Sequence, residues 1–116
     1  MKEMSVKHAD TIDGMGIEDA TNTLVFLITD PYTWLIEESD HLDAFRKKIN
    51  NYYGYIESKE YQKQYGDREF KGFRIEAVMK YMWTKNANDF FLAGKRALKE
   101  KGVEFRFTLA QGDASK

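Results

Sequence analysis

Two segments of this chain alternate between apolar side chains and side chains that are mostly polar, and this alternation restricts the fold more than any other feature. In GFRIEAVMKY (residues 72–81), apolar side chains occupy every second position from Phe73 to Tyr81, and charged side chains such as Arg74 and Glu76 fall between them. VEFRFTLA (residues 103–110) repeats the pattern. Successive side chains of a strand point to opposite faces. Both segments therefore predict strands of a sheet that helices cover on one face only.

The segments around these strands have helical spacing. A helix is predicted over residues 40–56, with Ser39 as its N-cap. One apolar stripe follows spacings of three and four along it, formed by Leu42, Phe45, Ile49, Tyr52 and Ile56. SKEYQKQYG (residues 58–66) predicts a second, short helix that stops at Gly66. A third helix is predicted over residues 87–101, opened by Asn86 and closed by Gly102.

The N-terminal part of the chain predicts a β-hairpin. TIDGMGIED (residues 11–19) indicates a short strand, DATN (residues 19–22) a turn, and TLVFLIT (residues 23–29) a second strand. The second strand is apolar without alternation, which predicts a central strand covered on both sides. Pro31 ends it, because proline has no N–H to donate to a neighbouring strand.

The predicted order is β-β-α-β-α-β, and the fold class is α+β. We expect a two-layer α/β sandwich with a four-stranded mixed sheet and its helices on one face. The crossover through residues 86–102 should be right-handed and join parallel strands. The strand order is left open. One domain is expected over residues 10–110, with flexible tails at 1–9 and 111–116.

Composition excludes several classes of chemistry. The 116 residues include no cysteine, which removes disulfides, thiolate metal sites and a cysteine nucleophile. The opening MKEMSVKHAD has no apolar core of a signal peptide, and the longest apolar run, LVFLI, is too short to cross a bilayer. The sequence therefore predicts a cytoplasmic protein without a membrane partner.

Charge is divided unevenly along the chain. Residues 1–43 contain ten acids and two lysines, whereas residues 44–116 contain sixteen bases and nine acids. One interpretation is that the two parts fold together and neutralise each other. The other is a separate acidic face.

Several motifs resemble those of a known family. Ile12, Asp13, Gly16 and Ile17 match an IDxIGID opening, and Asp30 matches a strand ending LxIxD. A tryptophan and the stretch HLDAFRKKINNYYGYIESKE (residues 41–60) match W…HLxxLxxKINxYxxFIESGE. These residues resemble a family of small bacterial proteins whose function is unknown. The resemblance covers about residues 12–109, with two departures: Pro31-Tyr-Thr separates Asp30 from Trp34, and Lys59 stands where a glycine is common. It implies a fold and a bacterial origin, but no catalytic residues.

The stretch TDPYTWLIEESDHLDAF (residues 29–45) is the main candidate site. An aromatic anchor ringed by charge suits protein recognition, and the residues predicted to contact a partner are Asp30, Tyr32, Trp34, Glu37, Glu38, Asp40, His41 and Asp43. Two simpler interpretations stay open. Acids in a first helical turn favour the helix dipole, and Trp34 could equally pack over the helix.

Other chemistry has weaker support. A metal ion needs at least three converging ligands, and His41 beside acids does not supply them. No nucleophile motif is present, so no catalytic residue is assigned. GMG (residues 14–16) lacks the third glycine of a dinucleotide fingerprint, so no cofactor is expected. Tyr61 and Tyr65 could stack on bases, but Glu57 and Glu60 would repel phosphate. Nucleic acid is therefore not an expected partner.

The sequence thus predicts a non-catalytic protein-binding module. Its concrete form would be an immunity or inhibitor protein whose acidic surface blocks a basic toxin or nuclease. One alternative is a small enzyme or metal-binding protein centred on His41. Another is a homodimer that associates through the charged face of the sheet.

Overall fold

The chain folds into a four-stranded mixed sheet with three helices. The computed structural model describes residues 6–7 and 11–110. The strands are β1 (Gly14–Glu18), β2 (Thr23–Asp30), β3 (Gly72–Met79) and β4 (Val103–Leu109), and the helices are α1 (Glu38–Glu57), α2 (Gln62–Tyr65) and α3 (Lys85–Glu100). The predicted α+β class is confirmed, and the element order matches once the short α2 is added.

The strands lie in the order β1-β2-β3-β4. The predicted hairpin is present, because β1 and β2 pair antiparallel. Strands β2, β3 and β4 are parallel, with Asp30 beside Met79 and Met79 beside Leu109. The carboxyl ends of three strands, and the segments that follow them, therefore meet at one edge of the sheet.

Strand β2 buries only one of its faces. Leu24, Phe26 and Ile28 are fully buried, while Val25 and Leu27 between them are half-buried. The prediction of a central strand was right, but the prediction that both faces are covered was wrong. The apolar residues on the second face contact the neighbouring strands and leave part of their surface open.

The helix starts differ from those predicted. Helix α1 begins at Glu38 after Glu37, whose φ of 54° is left-handed, so Ser39 lies inside the first turn and is not the N-cap. Helix α3 begins at Lys85, and the Thr84 hydroxyl accepts a hydrogen bond from the Ala87 N–H at 3.1 Å. Thr84 therefore takes the capping role predicted for Asn86.

The helix ends follow the prediction more closely. Gly66 and Gly102 follow α2 and α3 with φ of 68° and 83°, in a region that glycine adopts without strain. No helix in the described ranges has both the length and the apolar character that a membrane crossing requires.

The core extends further towards the N-terminus than predicted. Val6 is fully buried, and its N–H donates to the Thr29 carbonyl at 2.8 Å. Val6, which the sequence analysis placed in the N-terminal tail, thus packs against the domain. The other residues of the predicted tails, 1–5, 8–9 and 111–116, lie outside the described residues.

Candidate functional site

The candidate site lies at the carboxyl end of β2, in the loop of residues 31–37 and the first turns of α1. Pro31 follows the last residue of β2 and cannot extend the strand pairing. The Thr33 hydroxyl accepts a hydrogen bond from the Leu35 N–H at 3.3 Å, which tightens the turn. Open α/β sheets bind ligands at this end of their parallel strands.

Asp30 and His41 form a buried pair beneath this loop. Nε2 of His41 lies 2.7 Å from Oδ2 of Asp30, and the two side chains are 3% and 0% exposed. The other oxygen of Asp30 accepts a hydrogen bond from the Tyr32 N–H at 3.2 Å. Because a carboxylate only accepts hydrogen bonds, Nε2 of His41 is the donor. The pair therefore joins the end of β2 to the first turn of α1.

Trp34 closes the site from the loop side and is itself buried. Its ring stacks on His41 with 3.5 Å between centroids and 10° between planes. The ring centroids of Phe45 and Phe91 each lie 5.9 Å from that of Trp34. Only 3% of Trp34 is exposed, which favours the packing interpretation of this residue. Its indole Nε1 is buried without a hydrogen-bond partner in the described structure.

A pocket with a volume of about 220 Å³ lies beside the pair and is referred to as the His41 pocket; its lining is Lys7, Tyr32, Thr33, Ile36, Glu37, Asp40 and His41. The Lys7 ammonium sits over the Tyr32 ring, 4.2 Å from its centroid. No hydrogen bond from a described residue reaches Nδ1 of His41. With Nε2 donating to Asp30, a neutral imidazole presents Nδ1 as an acceptor.

The predicted acidic residues divide into two kinds. Glu38 accepts hydrogen bonds from Thr84 and Asn86, and these hold the pKa of its carboxyl below the usual 4.5. Asp43 pairs within its own helix with Lys47 and Arg46, which lower its pKa. Both carboxylates therefore serve contacts inside the molecule.

Glu37 and Asp40 form the second kind. Both are exposed, and neither forms an ion pair with any described residue. Of the eight residues predicted to contact a partner, Asp30, Trp34 and His41 are buried and organise the surface from below. Tyr32, Glu37 and Asp40 line the His41 pocket. The partner contact itself remains a prediction.

Sequence reasoning missed a second buried pair further along α1. Nζ of Lys48 lies 2.7 Å from Oδ1 of Asp13, and both side chains are fully buried. Oδ2 of Asp13 accepts from the Thr29 N–H at 2.8 Å, and the Tyr52 hydroxyl donates to the Leu27 carbonyl at 2.6 Å. These side chains satisfy backbone groups of β2 at Leu27, its last residue paired with β1, and at Thr29, beyond that pairing.

The helical spacing of His41, Phe45, Lys48 and Tyr52 was the signal that could have revealed this network. All four are buried on one side of α1. His41 and Lys48 are polar, so a search for apolar residues passes over these two. Burial also raises the pKa of the Tyr52 hydroxyl well above its usual value of 10.0.

Ion pairs connect the acidic and basic parts of the chain. Asp13 pairs with Lys48, and Glu18 pairs with Arg74 at 3.2 Å. Arg74 also contacts Glu76 at 2.7 Å on the open face of the sheet, and its side chain is 6% exposed. These contacts support the interpretation in which the two parts neutralise each other, and they leave Glu37 and Asp40 as unpaired acids of the candidate site.

The structure shows where the residues considered for metal binding and for base stacking lie. No group of three histidine, aspartate or glutamate side chains suitable for a metal ion occurs within residues 6–7 and 11–110. Tyr61, considered as a base-stacking platform, is buried against Phe70 and Phe73. Tyr65 is half-buried beside Phe70. The tyrosines of this segment thus contribute to packing.

The model of a family of unknown function, DUF6572, matches residues 4–111. No curated protein and no solved structure matches the chain.

Proposed function

Because the chain belongs to DUF6572, a family of unknown function, membership assigns no activity, and we propose from the site geometry that it is a non-catalytic protein-binding module. The proposed contact surface is the 31–37 loop with the exposed acids Glu37 and Asp40. The observation that carries the proposal is the exposure of two large apolar side chains, Leu35 at 89% and Ile36 at 66%.

These two side chains sit next to a fixed anchor. Trp34, the preceding residue, is held between His41 and the helices, and the Leu35 N–H is bonded to Thr33. The loop is therefore ordered before any partner arrives, which lowers the entropy cost of association. Adjacent apolar side chains that stay in water on an ordered loop are a feature of interaction sites.

Further apolar surface lies at the same edge of the sheet. Tyr81 and Met82, in the loop between β3 and α3, are 43% and 63% exposed. Hydrogen bonds from Thr84 and Asn86 to Glu38 tie this loop and the start of α3 to the first turn of α1. The two loops can thus contribute to one contact surface.

Charge suggests the kind of partner. Glu37 and Asp40 add negative charge beside the apolar side chains without an ion pair to any described residue. A partner with a basic surface would be attracted at longer range and then held by apolar contact. The most specific form of the proposal is an immunity or inhibitor protein that acts on a basic toxin or nuclease; this form rests on charge complementarity and analogy.

A second candidate is a small enzyme centred on His41. The observation that favours it is the hydrogen bond from His41 to the buried Asp30, which orients an imidazole towards a pocket, as in general-base catalysis. It predicts an activity that His41→Gln abolishes while Leu35→Ser retains it. The protein-binding proposal predicts instead that Leu35→Ser weakens partner capture, because Leu35 is part of the proposed contact surface.

The decisive experiment is affinity capture from a lysate of the source organism with matched variants. The Leu35→Ser/Ile36→Ser variant removes the apolar contact, and Leu92→Ser, at an exposed position on α3, is the control. We expect one partner, retained by the wild type and the control and lost from the double variant. A set of captured proteins that is the same for all three baits would contradict the proposal.

The homodimer alternative is tested separately. The open face of the sheet carries the ion pairs of Arg74 with Glu18 and Glu76, so a self-association through it would have to cover charged groups. Light scattering over a range of protein concentrations, with Arg74→Met as the variant, measures whether a dimer forms through this face.

A further inference from the structure

We propose that the His41 pocket is a cation subsite that receives a lysine or arginine side chain of the protein partner. In the unbound chain, the ammonium group of Lys7 occupies this subsite. The inference rests on the proposed protein-binding function and specifies the chemistry of its partner. It has three supports: a cation already present, carboxylates without an ion pair to a described residue, and the ring of His41.

The first support is the position of Lys7. Its ammonium lies 4.2 Å from the centroid of the Tyr32 ring, a distance at which a cation is attracted by the face of an aromatic ring. The chain therefore places one of its own cations in the pocket. A side chain from a partner can take the same position by displacing it.

The second support is the charge of the lining. Glu37 and Asp40 border the pocket, and neither carboxylate forms an ion pair with a described residue. Carboxylates that are not neutralised within their own molecule attract a cation from outside. Arginine would benefit most, because its planar fork of donors matches carboxylate oxygens.

The third support is His41. Only 3% of His41 is exposed, and the residue borders the pocket. Its Nε2 donates to Asp30. In a neutral imidazole with Nε2–H on Asp30, Nδ1 is an acceptor for a donor in the pocket. The volume of about 220 Å³ is many times the roughly 10–15 Å³ that one water molecule needs on this measure, so the pocket has room for a guanidinium group.

The test uses a probe of defined charge. Nα-acetyl-arginine methylamide is titrated into the ¹⁵N-labelled protein, and the backbone amides of Tyr32 and Glu37 and the indole N–H of Trp34 are followed by NMR. The matched neutral probe is Nα-acetyl-citrulline methylamide, which has nearly the same shape without the charge. We expect saturable shifts with the arginine probe only. Equal shifts with both probes, or no saturable shift with arginine, would overturn the proposal.

Variants then locate the site. Glu37→Gln/Asp40→Asn should weaken binding of the arginine probe at least fivefold, as expected for the loss of charged hydrogen-bond acceptors. Glu57→Gln, at an exposed position at the other end of α1, should leave it unchanged. An unchanged affinity in the double variant would remove the pocket as the binding site.

The role of Lys7 has its own measurement. Lys7→Met should tighten binding of the arginine probe by about threefold to tenfold, because the pocket no longer has to release its internal cation. Lys80→Met is the matched control, since Lys80 lies over another aromatic ring, that of Tyr81, at 5.6 Å. Unchanged or weaker binding in Lys7→Met would overturn the proposed displacement.

Failure of this inference is distinguishable from failure of the proposed function. If partner capture depends on Leu35 and Ile36 but the arginine probe does not bind, the protein-binding function stands and the cation subsite is wrong. If the probe binds in the pocket but capture does not depend on these residues, the subsite stands and the 31–37 loop is not the partner surface.

Discussion

The indole of Trp34 lies flat on the imidazole of His41, with 3.5 Å between ring centroids. This contact fixes the loop from which Leu35 and Ile36 project and shields the bond between His41 and Asp30 from water on that side. One tryptophan thereby serves both the packing of the domain and the shape of the proposed contact surface.

Trp34→Ala should destabilise the protein by about 3–5 kcal/mol, because it removes a large buried ring and leaves a cavity. Trp34→Phe should cost less, about 1.5 kcal/mol, since a ring is kept and the unpartnered indole N–H is removed. Urea denaturation measures both. Leu35→Ser should change the free energy of unfolding by no more than about 0.5 kcal/mol; a larger loss would mean that this exposed side chain has a structural role.

The buried pair of Lys48 and Asp13 should show strong coupling. Lys48→Met leaves the carboxylate of Asp13 without its cation and should cost about 3–5 kcal/mol. Adding Asp13→Asn removes the stranded charge while its amide oxygen can still accept from Thr29. The double variant should therefore be less destabilised than the sum of the two single variants. A double-mutant cycle by urea denaturation gives the coupling, and simple additivity would contradict the buried ion pair.

Glu38 should contribute to the pH dependence of stability. Its pKa is held below 4.5 in the folded protein by hydrogen bonds from Thr84 and Asn86, so the unfolded chain binds more protons as pH falls. The stabilisation is complete above the unfolded pKa of 4.5 and is lost as pH drops through the lower, folded value. Urea curves between about pH 6 and about pH 2 should show the difference between wild type and Glu38→Gln shrinking with acid. A difference independent of pH would contradict this.

Lys59 occupies a backbone conformation that suits glycine. Its φ is 62°, in the left-handed region, just after the end of α1. Lys59→Gly should stabilise the protein by about 1 kcal/mol, because glycine adopts this region without the steric cost of a Cβ atom. Lys95→Gly, at an exposed position inside α3, is the control and should destabilise by about 1 kcal/mol. Thermal unfolding compares the two, and a loss of stability in Lys59→Gly would be the contrary result.

Much of the fold was readable from local patterns. Alternation in residues 72–81 and 103–110 indicated strands with one open face, and the charged side chains Arg74 and Glu76 do lie on that face. Apolar spacing indicated the long helix, and Gly66 and Gly102 marked helix ends. These features depend on residues within a few positions of one another, so the sequence carries them directly.

The candidate site was only partly readable. Residues 29–45 were recognised as unusual from their acids and aromatic side chains, but their division into buried and exposed residues was not predicted. Trp34, Leu35 and Ile36 are adjacent and all apolar, yet the first is buried and the other two are exposed. That difference depends on Phe91, which lies far along the chain and packs against Trp34.

The sequence by itself determined the element types, the mixed α+β class and the one-sided burial of two strands, because strand and helix periodicity are local properties of the chain. Only the tertiary structure decided the strand order and the burial of Lys48 and His41. It also decided which acids of the site form no ion pair with a described residue. A charged side chain can be buried only where a partner meets it, and Asp13 and Lys48 are brought together across 35 residues by the docking of α1 on the sheet.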